Sequence, residues 1–171
     1  MEIRKSKRED LKGIMSIYAY ARNFMAENGN AGQWGKNYPS QTVVEKDIQE
    51  QRSYVCIEDS KIVGVFYFAE KEDPTYKVIE DGDWINDKPY GVIHRIASAE
   101  GTKGVATFCM NWVYEQIGNI RIDTHRNNIP MQSLLIKLGF KRCGVIYLAD
   151  GSPRIAFQRC IKSECAKGDN K

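Results

Sequence analysis

Apolar residues along the first thirty positions follow two rhythms in turn. Glu2 to Lys5 reads as a short strand, and Ser6-Lys7-Arg8-Glu9 has the spacing of a helix capping box. Leu11, Ile14, Met15, Tyr18, Ala21, Phe24 and Met25 then recur at helical spacing, which predicts a helix with one apolar stripe ending near Asn28-Gly29. From Gly29 to Pro39 the rhythm stops. Glycine and asparagine surround Gln33, Trp34 and Tyr38, and Ser40 then caps a shorter helix running to about Gln51. Tyr54 to Ile57 and Ile62 to Phe68 are β-rich runs joined by the polar turn Glu58-Asp59-Ser60-Lys61, an antiparallel hairpin.

Asp73 to Lys88 has no period and receives no element. Tyr90 to Ala99 is the next strand, followed by the glycine turn Gly101-Thr102-Lys103-Gly104, an apolar helix over Val105 to Ile117 and a strand from Ile120 to Thr124. Asn127-Asn128 precede Pro130, a favoured first-turn residue, and that helix stops at Gly139. Lys141 to Leu148 and Arg154 to Arg159 close the fold as strands around Asp150-Gly151. The order β, α, α, β, β, β, α, β, α, β, β predicts an α/β (α+β) fold: a mixed, mostly antiparallel sheet of about seven strands with about four helices on its two faces.

The 171 residues argue for one domain over 1–160 with a polar tail over 161–171. At 42% hydrophobic and 27% charged residues the chain is neither disordered nor fibrous in composition. The net charge of +3 comes from 25 basic and 22 acidic residues without a long basic block, so neither a nucleic acid nor a membrane is expected as partner. Glu2, Arg4, Lys5, Lys7 and Arg8 replace the apolar stretch of a signal peptide, and a cytoplasmic location is expected. Of five cysteines, Cys56, Cys109 and Cys143 sit in apolar segments and Cys160 and Cys165 near the tail, with no CxxC pair. Buried, reduced cysteines are expected, with no metal site and no disulfide frame.

The glycine turn is where chemistry enters. A helix N-terminus offers unpaired backbone N–H groups and a partial positive charge, so an anionic phosphate fits there. Gly101, Gly104 and Ala106 let backbone approach a ligand closely, and Lys103 adds a point charge. The pattern is neither GxxxxGK[ST] nor a full GxGxxG. A simple tight turn would look the same.

Together with Asn128-x-x-Met131-x-x-Leu134-Leu135-x-Lys137-x-Gly139-Phe140, the order of elements and this turn resemble the GCN5-related N-acetyltransferase (GNAT) family from about Glu2 to Arg159. The wording of Asn28-Gly29-Asn30, Gln33-Trp34-Gly35, His94-Arg95-Ile96-Ala97-Ser98, Ile122-Asp123-Thr124-His125 and Tyr147-Leu148-Ala149-Asp150-Gly151 is similar to a bacterial subgroup of it. The resemblance implies acetyl-CoA as co-substrate and no metal. By it, the Tyr90–Ala99 strand would splay from its neighbour and hold the pantetheine arm and thioester through main chain at Ile96, Ala97 and Ser98. Backbone of Lys103, Gly104, Val105 and Ala106 would receive the pyrophosphate, and Asn128 and Met131 would meet the cofactor arm. The chain departs from the family in two places. Gly101 stands where Arg or Gln belongs, and Leu135 where a tyrosine often protonates the departing thiolate.

Transfer of an acetyl group to an amine needs a proton acceptor, an oxyanion donor and a protonated leaving thiolate. His94, one of two histidines, is the candidate base on the expected strand, or else a hydrogen-bonded partner packed beneath a helix. In a regular strand His94 and Arg95 face opposite ways. His125 either bonds across the splay or is a solvated strand end. Tyr147 is a replacement acid to test. Trp34 either walls an acceptor pocket or plugs the rim of the core, with Gln33, Tyr38 and Trp84 completing the wall, and Glu70 or Asp73 could hold a cationic amine. The expected function is acetyl transfer to a primary amine of a small molecule, without a covalent intermediate on Cys109. The alternative is a non-catalytic acyl-CoA-binding sensor, and a homodimer through the edges of the last strands is open.

Overall fold

Ser6 does not cap the first helix. It is buried, with its hydroxyl 2.8 Å from that of Ser53. The acid that closes the turn is Asp10 rather than Glu9: its carboxylate accepts the Lys7 backbone N–H at 2.7 Å, and a 3-10 turn over Arg8–Asp10 leads into α1 (Leu11–Glu27). Arg4, on β1 (Glu2–Lys5), donates to both oxygens of Asp10 at 2.7 and 2.9 Å. The Arg4 hydrogen bond, more than the opposing effect of burial, holds the Asp10 carboxyl below its ordinary 3.8. A folded-state value below the unfolded one stabilises the fold above that ordinary value and is lost as pH falls through the folded value. Asp10→Asn should therefore cost about 1 kcal/mol at neutral pH, measured by urea melts, and flatten the wild-type loss of stability below about pH 4.

The computed structural model describes residues 1–161, so the expected polar tail lies outside the described residues apart from Ile161. Besides β1 and α1, the elements are α2 (Gln41–Gln49), β2 (Ser53–Glu58), β3 (Lys61–Glu70), β4 (Gly91–Ser98), α3 (Val105–Ile117), β5 (Asn119–Thr124), α4 (Ile129–Lys137), β6 (Lys141–Tyr147) and β7 (Pro153–Cys160). The seven strands run in the sheet order β1-β2-β3-β4-β5-β7-β6. The β4–β5 pair is parallel, at Gly91–Ile120 and Val92–Arg121. The β1–β2, β2–β3, β5–β7 and β6–β7 pairs are antiparallel. The chain divides into two compact units, Met1–Ala69 with Ile93–Trp112, and Glu70–Val92 with the chain from Val113 onward.

In the first unit the two-residue period of β2 and β3 sorts their side chains to opposite faces. Val55 and Val65 join Ile14, Ile17 and Tyr18 of α1, Val44 and Ile48 of α2, and Ala97 in one core. Tyr54, Phe66 and Phe68 point the other way, to rings 5.4–6.3 Å from Trp112 of α3. Helices thus cover both faces of this part of the sheet. The hairpin between β2 and β3 turns on Asp59 and Ser60, both at positive φ (47° and 61°), as a two-residue hairpin loop requires. Phe24, last but one in the predicted stripe, is 43% exposed, so the stripe runs out before the helix does.

In the second unit, the stretch from Asp73 to Lys88 is held by polar groups without hydrophobic period. The Tyr76 hydroxyl donates to Asp123 at 2.7 Å, the Trp84 indole N–H to the Tyr76 carbonyl at 2.9 Å, and the Ile85 N–H to Gln158 at 2.8 Å. The Arg121 guanidinium lies between the rings of Trp84 and Tyr90, 4.3 and 4.0 Å from their centres, and donates to the Asn86 carbonyl. Glu80 pairs with Val145 through two backbone hydrogen bonds, 2.8 and 2.9 Å. That bridge pairs Val145 of the edge strand β6 with the chain's own backbone.

Cys56, Cys109 and Cys143 are free and buried. Cys160 is disulfide-bonded, so the expectation of reduced cysteines is corrected there. Among the described residues no helix is long and apolar enough to cross a membrane.

Candidate functional site

Between β4 and α3 the chain makes its glycine turn, and its position is set by a third glycine. A Cβ on Gly64 of β3 would collide with Cγ1 of Val105 and lie 3.4 Å from Cβ of Cys56 and 3.5 Å from the Ala97 carbonyl oxygen. The missing side chain is what seats the first residue of α3 on the sheet beside the end of β4. Gly101 and Gly104 hold φ of 72° and 75°, and the space where a Cβ would stand is open within 4 Å at both. The first α3 bond is from the Phe108 N–H to the Gly104 carbonyl at 2.9 Å, which leaves Val105, Ala106 and Thr107 as the first-turn donors of the helix. Lys103 and Gly104 are exposed, Ala106 is half-buried and Val105 is buried. The Thr102 hydroxyl folds back onto the Ala99 carbonyl at 2.7 Å and fixes the turn.

One residue before Ile96, β4 is kinked. Arg95 has φ 51° in mid-strand, a left-handed conformation that a non-glycine residue seldom adopts. This corrects the alternation expected for His94 and Arg95. Both lie against Tyr67 of β3: the His94 ring centre is 5.6 Å from the tyrosine ring, and the Arg95 guanidinium carbon sits 4.7 Å over it. Arg95 Nε and Nη2 donate to Oδ2 of Asp47 at 3.0 and 2.7 Å, and Nη1 to the Tyr38 hydroxyl at 2.9 Å. The Tyr18 hydroxyl donates to the Arg95 carbonyl at 2.9 Å. Burial pushes the Asp47 carboxyl up against the pull of Arg95, and His94 also acts on that carboxyl. Burial alone would lower the Arg95 guanidinium, but Tyr38 and Asp47 together hold it above its ordinary value. The Tyr18 hydroxyl is raised by its burial.

Trp34 meets Tyr18 edge-on at 5.7 Å and Tyr38 at 6.3 Å, and packs on the core of α1 and α2. It plugs the rim of that core, the second of the two alternatives read from the sequence. Gln33 accepts a hydrogen bond from buried Asn30 at 2.7 Å. Gln33, Trp34, Tyr38 and His94 belong to the first unit with Ile96, Ala97, Ser98 and the glycine turn; Trp84, Asn128, Met131 and Tyr147 belong to the second. Trp84 is occupied by Tyr76 and Arg121 as described, which makes it a strut of its own unit. The Asn128 side chain caps α4 by accepting from the Met131 N–H at 3.3 Å. Tyr147 is 42% exposed and its hydroxyl donates to Glu80 at 3.0 Å, a bond that raises its pKa and so weakens it as an acid. His125 Nδ1 accepts from the Asn127 N–H at 3.1 Å, and burial and then Arg154 lower its pKa. Asp73 caps a short turn through Thr75, and Leu135 is fully buried.

Asp47, Tyr18, Tyr67 and Gly64 are the residues of this region that the sequence did not single out. Asp47 had a legible signal: an acid on the otherwise apolar side of a short helix, beside Val44 and Ile48, asks for a buried cation.

No family model and no curated protein sequence matches the chain. Solved structures do. An acetyltransferase of the GNAT family from Streptococcus agalactiae 2603 is 30% identical, with 94% of this chain and 95% of that one covered and a TM-score of 0.86. A ribosomal-protein-alanine N-acetyltransferase from Brucella melitensis (13% identity, 94% and 100% covered, TM-score 0.64) and an aminoglycoside 6'-acetyltransferase type Ii (17%, 94% and 97%, 0.58) share the fold. The acceptors named for those last two differ in kind, so the fold does not fix the acceptor. With the seven-stranded mixed sheet, four helices and near full-length similarity at this level, the chain belongs to the GNAT family of acetyltransferases.

Proposed function

We propose that the chain transfers an acetyl group from acetyl-CoA to a primary amine of a small molecule, by direct attack. The observation that carries this is the glycine turn. Its two left-handed glycines leave open space at their Cα atoms, and α3 presents its first-turn N–H groups beside them. Both properties fit a pyrophosphate, which needs close backbone approach and fixed donors rather than a particular side chain. That is why Gly101 can stand where the family carries Arg or Gln. Backbone of Lys103, Gly104, Val105 and Ala106 would hold the pyrophosphate, and main chain at Ile96, Ala97 and Ser98 the pantetheine and thioester. Acetyl-CoA supplies the activated acetyl group.

The amine must give up a proton as its nitrogen bonds to the acetyl carbon and the carbon–sulfur bond breaks. His94 is the residue we assign to accept it, directly or through water, because it stands next to the kink in β4 with Tyr67 and Asp47 fixing its surroundings. Trp34, Tyr38 and Gln33 are assigned to the acceptor side. An aromatic wall whose Arg95 guanidinium is already paired to Asp47 suits a small molecule better than a charged protein segment. His94→Ala should lower kcat by about 10²-fold or more, with the acetyl-CoA Kd within about threefold of wild type. Unchanged kcat would exclude His94 as the base. A second reading, an acyl-CoA-binding sensor, is favoured by Leu135, whose buried apolar side chain cannot protonate a thiolate. Acetyl-CoA-dependent thiol release across a panel of primary amines separates the two: release above background supports catalysis, and binding without release supports the sensor.

A further inference from the structure

We propose that Arg95 is a positioning residue that holds the Gln33–Tyr38 segment and the kink of β4 in a single fixed relation. The contacts close a circuit. The Arg95 guanidinium donates to the Tyr38 hydroxyl, Tyr38 packs on Trp34, Trp34 packs on Tyr18, and the Tyr18 hydroxyl returns to the Arg95 carbonyl. One residue therefore touches the circuit twice, by its side chain and by its backbone. Asp47 braces it from α2, taking Nε and Nη2 on the same oxygen, and the Tyr67 ring supports the flat guanidinium from β3. Only a planar, forked cation serves all three partners at once; a lysine ammonium has neither the fork nor the flat face.

Two features at this residue work against stability. A left-handed backbone in a non-glycine residue is strained, and an ion pair with both side chains 12% exposed gains little over apolar packing of the same volume. Their coincidence one residue before the main chain assigned to the thioester is what marks the clamp as serving geometry rather than stability. The aromatic wall for the acceptor and the strand that presents the acetyl group then share one anchor. This rests on the acetyltransferase reading above for its consequence in catalysis, while the clamp itself is testable without any substrate.

Three variants separate the parts. Arg95→Gly removes the side chain and relieves the strain of positive φ, Arg95→Ala removes the guanidinium but keeps that strain with nothing to hold it, and Tyr38→Phe loses one hydroxyl. Amide hydrogen exchange by mass spectrometry is read on residues 33–38 and 96–99 of the full chain. Arg95→Gly should speed exchange in 33–38 by about tenfold or more while 96–99 stay within about threefold, and Arg95→Ala should speed both. In thiol release with acetyl-CoA and spermidine, lysine amide or kanamycin, Arg95→Gly should raise KM for the best amine about tenfold with less than about threefold change in kcat, and Tyr38→Phe should raise KM by less. Unchanged exchange in 33–38 for Arg95→Gly overturns the clamp. A wild type that binds acetyl-CoA but releases no thiol with any of these amines defeats the catalytic reading and reduces Arg95 to a structural tie, whereas a kcat loss without a change in KM overturns the assignment of Arg95 to positioning the acceptor wall.

Discussion

A methyl group at position 64 should dislodge the head of α3. Ideal geometry puts the added Cβ of Gly64→Ala inside the contact distance of Cγ1 of Val105, with Cys56 and the Ala97 carbonyl closing the other sides at 3.4 and 3.5 Å. Val105 is 2% exposed and β-branched, so one χ1 rotamer is strongly preferred and moving the methyl aside is costly. The helix start has to shift, and overpacking of this kind costs about 1–3 kcal/mol. Urea melts of Gly64→Ala should show that loss, and acetyl-CoA should bind at least about tenfold more weakly, because the displaced turn is the proposed pyrophosphate cradle. Val105→Ala removes the obstructing carbon while keeping the backbone N–H. The double variant should recover most of both effects, and a double-mutant cycle with no coupling would show that the clash is not the cause.

Gly104→Glu should abolish measurable acetyl-CoA binding without unfolding the protein. The added Cβ meets nothing within 4 Å, so the expected cost to stability is mainly the strain of φ 75°. The carboxylate would occupy the N-terminus of α3, where it competes with the pyrophosphate for the same donors and repels it. A loss of about 100-fold or more in affinity is expected, against a much smaller loss in Gly104→Asn, which tolerates the left-handed backbone and carries no charge. Equal losses in the two variants, measured by calorimetry, would mean that backbone strain rather than charge is responsible.

These two positions show why parts of the chain were legible. Gly101 and Gly104 announce themselves because a turn between an apolar strand and an apolar helix needs positive φ, a local demand that local residues record. The strands, α1 and α3 were equally readable, since each sorts its apolar residues by its own period. Gly64 was invisible for the opposite reason: its constraint comes from Val105, 41 positions away and on another element. Asp10 was not singled out because Ser6 and Glu9 have the spacing of the capping pair, and only the packing of Ser6 on Ser53 removes it from that role.

Arg95 escaped because a strand pattern carries no mark of a kink. The alternation that placed His94 and Arg95 on opposite faces assumes extended backbone at every residue, and it fails where Tyr18, Asp47 and Tyr38 grip one residue from separate elements. The stretch from Asp73 to Lys88 gave no element because its order comes from Tyr76, Trp84 and Asn86 engaging Asp123, Gln158 and Arg121 of later strands. Trp84 shows the price of reading one residue alone: an aromatic in an irregular loop suggested a pocket wall, and the buried guanidinium that it covers lies 37 positions further on.

The most direct test of the central claim is a calorimetric titration of the wild-type protein with acetyl-CoA. The account predicts one site with a dissociation constant on the order of micromolar, with the heat lost in Gly104→Glu. A folded wild type that gives no binding heat, at any temperature tried, would contradict the assignment of the glycine turn and of β4 to acetyl-CoA.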